Sequence, residues 1–187
     1  SASRMLKAAT WAEEVISRTS ALYRKDTTQH ERVDVNAVIR HMALLLQQEA
    51  AASSVSIRTA LADGLPEVLA DRVQLQQVCM NLMLNAIEAM KGTGGELTIT
   101  SEMREPGELL ISMSDQGVGL PMDPPATIFE AFVTTKPQGT GMGLAITRSI
   151  VDAHGGRVWA SANTGPGATF FFTLLADAAE RSPSRSL

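Results

Sequence analysis

The sequence predicts an α/β domain, and three observations carry that expectation. Segments whose apolar residues recur every 3.6 residues take turns with short segments that alternate apolar and polar side chains. Glycine clusters fall at the joints between them, after a strand-like run in one case and before a helix-like run in the other. The composition, 44% hydrophobic and 19% charged, is that of a chain able to build a packed core. Aromatics make up only 4%, so aliphatic side chains and methionine must fill that core.

Taken in order, residues 5–25 predict a helix, because Ala8, Trp11, Ala12, Val15, Ile16, Thr19, Leu22 and Tyr23 share one face. The polar stretch that follows is read as a linker over 26–32, and 177–187, rich in Ser and Arg, as a disordered tail. The domain itself is expected over 33–176. Asn36 is the expected cap of a helix running to about Glu49, with Val38, Ile39, Met42, Leu45 and Leu46 inward. Residues 55–59 alternate like a strand. Asp71 with Gln74 three residues later starts a helix over 71–90 in the manner of a capping box. Gly92-Thr93-Gly94-Gly95 ends it.

Strands are expected over 97–100 and 109–113, joined across Pro106-Gly107. Residues 120–140 keep no period and hold four prolines (Pro121, Pro124, Pro125 and Pro137), the mark of a functional lid or of disorder. A helix over 144–153 stops at His154-Gly155-Gly156, and two strands, 157–160 and 168–172, flank the turn Gly165-Pro166-Gly167.

The net charge of −4 supplies no basic footprint, which argues against nucleic acid as a partner. The single cysteine, Cys79, rules out disulfide frameworks and sits among apolar neighbours as plain core. No run of about 18 apolar residues is present, and the opening Ser1-Ala2-Ser3-Arg4 lacks a signal-peptide segment. A cytoplasmic setting is expected, without membrane contact by this part, whether or not a longer parent chain is anchored. His30, His41 and His154 have no metal-site spacing and receive no catalytic role.

Within the helix over 71–90, Gln74, Gln77, Asn81, Asn85 and Glu88 line one face, opposite Leu75, Val78, Leu82 and Ile87. A solvated stripe is one reading. Against it, asparagine is a poor helix former, and two in mid-helix need a reason. A neutral carbonyl at Asn85 is an oxygen ligand for magnesium that does not repel phosphate, and Asn81 lies one turn away to assist. Asp115-Gln116-Gly117-Val118-Gly119 follows a strand. Its carboxylate can accept a hydrogen bond from an exocyclic amine such as that of adenine, while Gly117 and Gly119 let a base approach the backbone. An ordinary strand-to-loop turn fits this stretch equally well.

Gly139-Thr140-Gly141-Met142-Gly143-Leu144 opens a helix, where backbone N–H groups and the helix dipole favour phosphate. Leu144 occupies the place of the third glycine in a dinucleotide fingerprint, and no Gly-Lys-Ser/Thr occurs, so neither nucleotide motif applies. Between the two clusters, Phe129 and Phe132 are candidate anchors of a lid, and Lys136 is within reach of a phosphate.

In this order the motifs resemble the N, G1, F and G2 boxes of bacterial two-component sensor histidine kinases. They are Asn81-Leu82-Met83-Leu84-Asn85-Ala86, Asp115-x-Gly117-x-Gly119, Phe129 to Lys136, and Gly139 to Leu144. The likeness covers roughly 33–175, and the Thr134-Thr135-Lys136 ending is similar to the nitrogen- and oxygen-sensing branch. The resemblance implies a Bergerat (GHKL-type) ATP-binding fold, a mixed sheet covered by helices on one face, with residues 1–25 similar to the end of the dimerisation hairpin. It implies Asp115 and Thr169 at adenine and Asn85 on magnesium. Asn81 and Lys136 become the catalytic candidates, and Thr134, Thr135, Gly139, Thr140, Gly141, Met142, Gly143 and Leu144 surround the phosphates.

The activity so implied is transfer of the γ-phosphoryl group of ATP to a histidine outside this sequence. The implied partners are that histidine-bearing dimerisation domain, a response-regulator receiver domain and a second copy of the full-length protein. Glu88 stands where many relatives carry a basic residue, which leaves Lys91 or Lys136 to meet phosphate. Two other readings fit the same residues: a GHKL-type ATPase, and a nucleotide-binding regulatory module without kinase activity.

Overall fold

The protein is described by a computed structural model over residues 30–104, 107–120, 126–134 and 141–177. The expected helix over 5–25 and most of the expected tail lie outside the described residues. Alternating burial marks the inner strands of the central sheet. Strands β2 (Val55–Leu61), β4 (Gly95–Arg104), β5 (Glu108–Ser114), β6 (Val158–Ala162) and β7 (Ala168–Leu175) form five strands in the order β2-β4-β5-β7-β6. β2 runs parallel to β4, and the other pairs are antiparallel, so the sheet is mixed.

Leu97, Ile99, Ile111, Met113, Phe170, Phe172 and Leu174 point to one side and are buried. Thr98, Thr100, Ser112 and Thr169 point to the other and stay partly exposed, as the two-residue period of a strand requires. Helices α1 (Val35–Leu45), α3 (Arg72–Ala89) and α4 (Gly143–Ala153) contribute to the same buried cluster and so cover the first face. Short α2 (Gln47–Ala52) continues α1 after a break at Leu46.

Leu45, expected inward, is 60% exposed at the end of α1. Two further local expectations change. Asp34, not Asn36, caps α1, accepting from the Ala37 N–H at 3.0 Å. Asn36 is buried instead, donating to Ala62 O at 2.8 Å and accepting from Ser101 Oγ at 2.7 Å. A polar residue so placed must have both partners, because burial without them costs several kcal/mol (about 2–7). Second, β1 (Glu31–Val33) pairs antiparallel with β3 (Val68–Ala70), so residues 31 and 32 belong to a small sheet and not to a linker. Three residues are too few to show a period, and β1 exists only because β3 lies beside it.

Asp71 caps α3 as expected, accepting from the N–H groups of Val73 and Gln74. Its own N–H donates to His154 Nε2 at 3.1 Å, the position a capping box gives to its Glu or Gln. His154 caps the end of α4 and its Nδ1 meets Ile150 O at 2.7 Å. One imidazole thus joins the start of α3 to the end of α4.

Candidate functional site

At Asn81 the polar face of α3 is turned toward α4, not to water. Asn81 is only 4% exposed, which excludes the solvated-stripe reading at that position. Its Nδ2 donates to Gly143 O at 3.2 Å, and Thr147 Oγ1 donates to the same oxygen at 3.0 Å. Asn81 therefore pins the first turn of α4 to the middle of α3. Asn85, one turn further on, is half-buried, and Glu88 is exposed. Leu75, Val78, Leu82 and Ile87 form the opposite, buried face together with Cys79, whose thiol burial pushes up to about 12.

Asp115 closes β5 and is 2% exposed. Its Oδ1 accepts from the Gly117 N–H at 2.8 Å and from the Ala168 N–H at 3.4 Å. Burial still holds the carboxyl above its ordinary value of 3.8, outweighing those two donors. No donor among the described residues meets Oδ2.

The loop after Asp115 is drawn against the end of α3. A Cβ at Gly117 would fall 2.4 Å from Ala89 O, so only glycine fits there. The Val118 N–H donates to that carbonyl at 3.2 Å, and Gly119 takes a left-handed φ of 75°. Gln116 faces away from Asp115, accepting from the Glu96 N–H at 3.0 Å.

Gly141 and the N-cap residue Met142 lead into Gly143 and Leu144 at the start of α4, and among the described residues no side chain caps its first turn. Uncapped N–H groups at a helix start, with glycine on either side of Met142, form a place for an anion. Gly141 has φ 66°, and a Cβ there would lie 2.5 Å from Phe132 C. The segment 126–134 thus arrives against the glycine loop, with the Phe132 N–H donating to Gly141 O at 3.0 Å. Phe129 is buried edge-on to Phe170, their centroids 6.3 Å apart. Phe132 is 76% exposed, so it does not anchor the segment as expected. Thr134 is exposed, while Thr135, Lys136, Gly139 and Thr140 lie outside the described residues.

α3 is the spine that relates these parts. Ala89 touches the Asp115 loop and Asn81 touches Gly143, about 12 Å apart at 1.5 Å per helical residue. One expected member sits elsewhere. Thr169 Oγ1 donates to Asn163 Oδ1 at 2.7 Å and lies 2.9 Å from Ser114 Oγ. Successive strand residues face opposite sides, so Thr169 stands behind Asp115, and Ala168 meets its carboxylate through a backbone N–H. Asn163 and Gly167 also pack on Asp115. Sequence reasoning took Gly167 for a turn residue and did not single out Asn163, and nothing in a turn pattern reveals what the turn touches.

A family model described as histidine kinase-, DNA gyrase B- and HSP90-like ATPase matches residues 70–178. The chain belongs to this ATPase family. The matched range holds α3, the Asp115 loop and α4. The sensor protein FixL of Bradyrhizobium diazoefficiens is 39% identical over 166 residues, 88% of this chain and 33% of FixL. The fold is similar to full-length ShkA in complex with AMPPNP, with a TM-score of 0.76 and 32% identity over 88% of this chain and 35% of ShkA. It is also similar to the histidine kinase ThkA in complex with the response regulator TrrA, with a TM-score of 0.74 and 27% identity over 92% of this chain and 50% of ThkA. The chain spans about a third of the length of the curated relatives it matches. Among the described residues, no helix of this ATPase-family chain is long and apolar enough to cross a membrane.

Proposed function

We propose that this chain is the ATP-binding catalytic portion of a sensor histidine kinase. The observation that carries the reading is the Asp115 carboxylate, buried with one oxygen left over, joined through α3 to an uncapped glycine-flanked helix start. Asp115 Oδ2 accepts the exocyclic amine of adenine, and Gly117 and Gly119 let the base lie close to the backbone. The N–H groups around Gly141, Met142, Gly143 and Leu144 receive the phosphates, with Gly139, Thr140, Thr134, Thr135 and Lys136 completing the enclosure. Asn81 positions that loop through Gly143.

Asn85 offers a carbonyl oxygen from the polar face of α3, a donor of the kind magnesium prefers, and the ion bound there neutralises phosphate charge. A histidine nitrogen on the dimerisation domain attacks the γ-phosphorus, the bond to the β–γ bridging oxygen breaks, and ADP leaves. Positioning and charge stabilisation supply most of the catalysis in such transfers. The phosphoryl group then passes to a receiver-domain aspartate, a partnership supported by the ThkA complex with TrrA. On this reading residues 1–25 end the dimerisation hairpin of a homodimeric parent, and the domain works in the cytoplasm, where ATP is.

Calorimetric titration of ATP with and without magnesium tests the proposal, using the wild type, Asp115→Asn and Asn85→Ala. Binding lost in the first variant and magnesium dependence lost in the second are expected. A folded wild type that binds no ATP would leave a regulatory module without nucleotide and overturn the reading.

A further inference from the structure

We propose that Asn163 is a positioning residue for base discrimination: its side-chain amide holds the backbone on which the Asp115 carboxylate is mounted. The inference rests on the reading of this pocket as an adenine-nucleotide site. Asn163 follows β6 and is half-buried. Its Nδ2 lies 2.8 Å from Asp115 O and 3.3 Å from Pro166 O, with Ser114 Oγ at 3.4 Å. Carbonyls only accept, so they fix which end of the amide carries the nitrogen. The oxygen end is then the acceptor for Thr169 Oγ1 at 2.7 Å.

The turn closes on itself at the same place. The Asn163 N–H donates to Gly167 O at 3.1 Å, and Gly167 has a φ of 92°. A Cβ on Gly167 would lie 1.9 Å from Asp115 O, so the turn presses on that carbonyl and the Asn163 amide satisfies it. Asn163 does not contact the carboxylate. It acts through the Asp115 main chain, from the face of the sheet opposite the helices, and so governs where Oδ2 points.

Adenine presents an amine to Oδ2, whereas hypoxanthine presents a keto oxygen at the same edge. The test is therefore the ratio of ATP to inosine triphosphate affinity, measured by calorimetry on the whole chain. Asn163→Asp keeps the shape but turns the donor into an acceptor facing a carbonyl. ATP affinity is expected to fall about tenfold and inosine triphosphate affinity by less than about twofold, so the ratio collapses. Thr169→Val removes the hydroxyl that orients the amide and shifts the ratio the same way, more weakly; it decides the matter where Asn163→Asp does not fold.

Asn36→Ala deletes a buried amide with two hydrogen bonds, far from Asp115 in the β2–β4 region, and is expected to lower stability without moving the ratio. A wild type with no preference for ATP sinks the reading of the pocket itself. A wild type that prefers ATP, with the ratio kept in the Asn163 and Thr169 variants or lost equally in Asn36→Ala, overturns the positioning role alone.

Discussion

Gly117 and Gly143 look alike in the sequence, each inside a glycine-rich cluster, yet the structure predicts opposite responses to a single methyl group. At Gly117 an added Cβ lands 2.4 Å from Ala89 O and 2.8 Å from Ala89 Cβ. To clear the 3.0 Å below which such contacts are not found, the loop or the end of α3 must move by at least 0.6 Å. Both sides are backbone held by hydrogen bonds, so neither yields as a flexible side chain would. Overpacking of this kind costs about 1–3 kcal/mol. The displaced carbonyl also weakens its bond from the Val118 N–H, adding about 1 kcal/mol.

Gly117→Ala is therefore expected to lose about 2–4 kcal/mol. At Gly143 the nearest atom to an added Cβ is Asn81 Cγ at 3.9 Å, an ordinary contact, and the residue is already helical. Replacing a helical glycine by alanine stabilises by roughly 0.5–1 kcal/mol. Urea denaturation followed by circular dichroism reads both variants, as shifts of midpoint at unchanged slope. A Gly117→Ala protein within about 0.5 kcal/mol of wild type would refute the close-approach argument. So would a loss above about 1 kcal/mol in Gly143→Ala.

Two further outcomes follow from the same geometry. Burial raises the Asp115 carboxyl, so protonation removes its charge at a pH above its ordinary value. ATP affinity is then expected to fall as pH drops through that raised value, and Asp115→Asn, already weak, to show no such step in calorimetric titrations. Stability moves the other way: the folded state holds this proton more tightly than the unfolded chain, so the contribution of Asp115 worsens as pH rises between the two values. A wild-type affinity that falls only at the ordinary value of 3.8 or below would contradict the raised carboxyl. For His154, replacement by Phe leaves the Asp71 N–H without its acceptor, at a cost of about 1–3 kcal/mol in a thermal or urea melt; an unchanged melt would show that the bridge between α3 and α4 carries no stability.

The regular elements were legible because each repeats its period long enough to be read. α3 carries its buried face of Leu75, Val78, Leu82 and Ile87 over more than three turns, and β4, β5 and β7 alternate in burial over 97–101, 111–114 and 168–172. The Asp71 cap and the His154 stop are local chemistry, settled within a few residues of chain. β1 was not legible, since Glu31–Val33 becomes a strand only through its partner over Val68–Ala70, more than thirty residues away. Asn36 misled for a related reason: asparagine suits a helix cap, and only the arrival of Ala62 and Ser101 makes burial its better use.

At the site, the residue types and their order were determined by the sequence: two asparagines one helical turn apart, a carboxylate before Gly117 and Gly119, and a glycine-flanked helix start. Those identities suit a nucleotide with its phosphates and a hard cation, which is what the resemblance to sensor histidine kinases implies. What the tertiary structure alone decided is which groups are spent on holding the fold and which remain. Asn81 gives its amide to Gly143 and Thr169 gives its hydroxyl to Asn163, while Asp115 keeps an oxygen that no described donor meets. The physical reason is that a hydrogen-bonding group is committed by whatever sits within about 3 Å of it, and for Asn81 that neighbour lies 62 residues away in the chain.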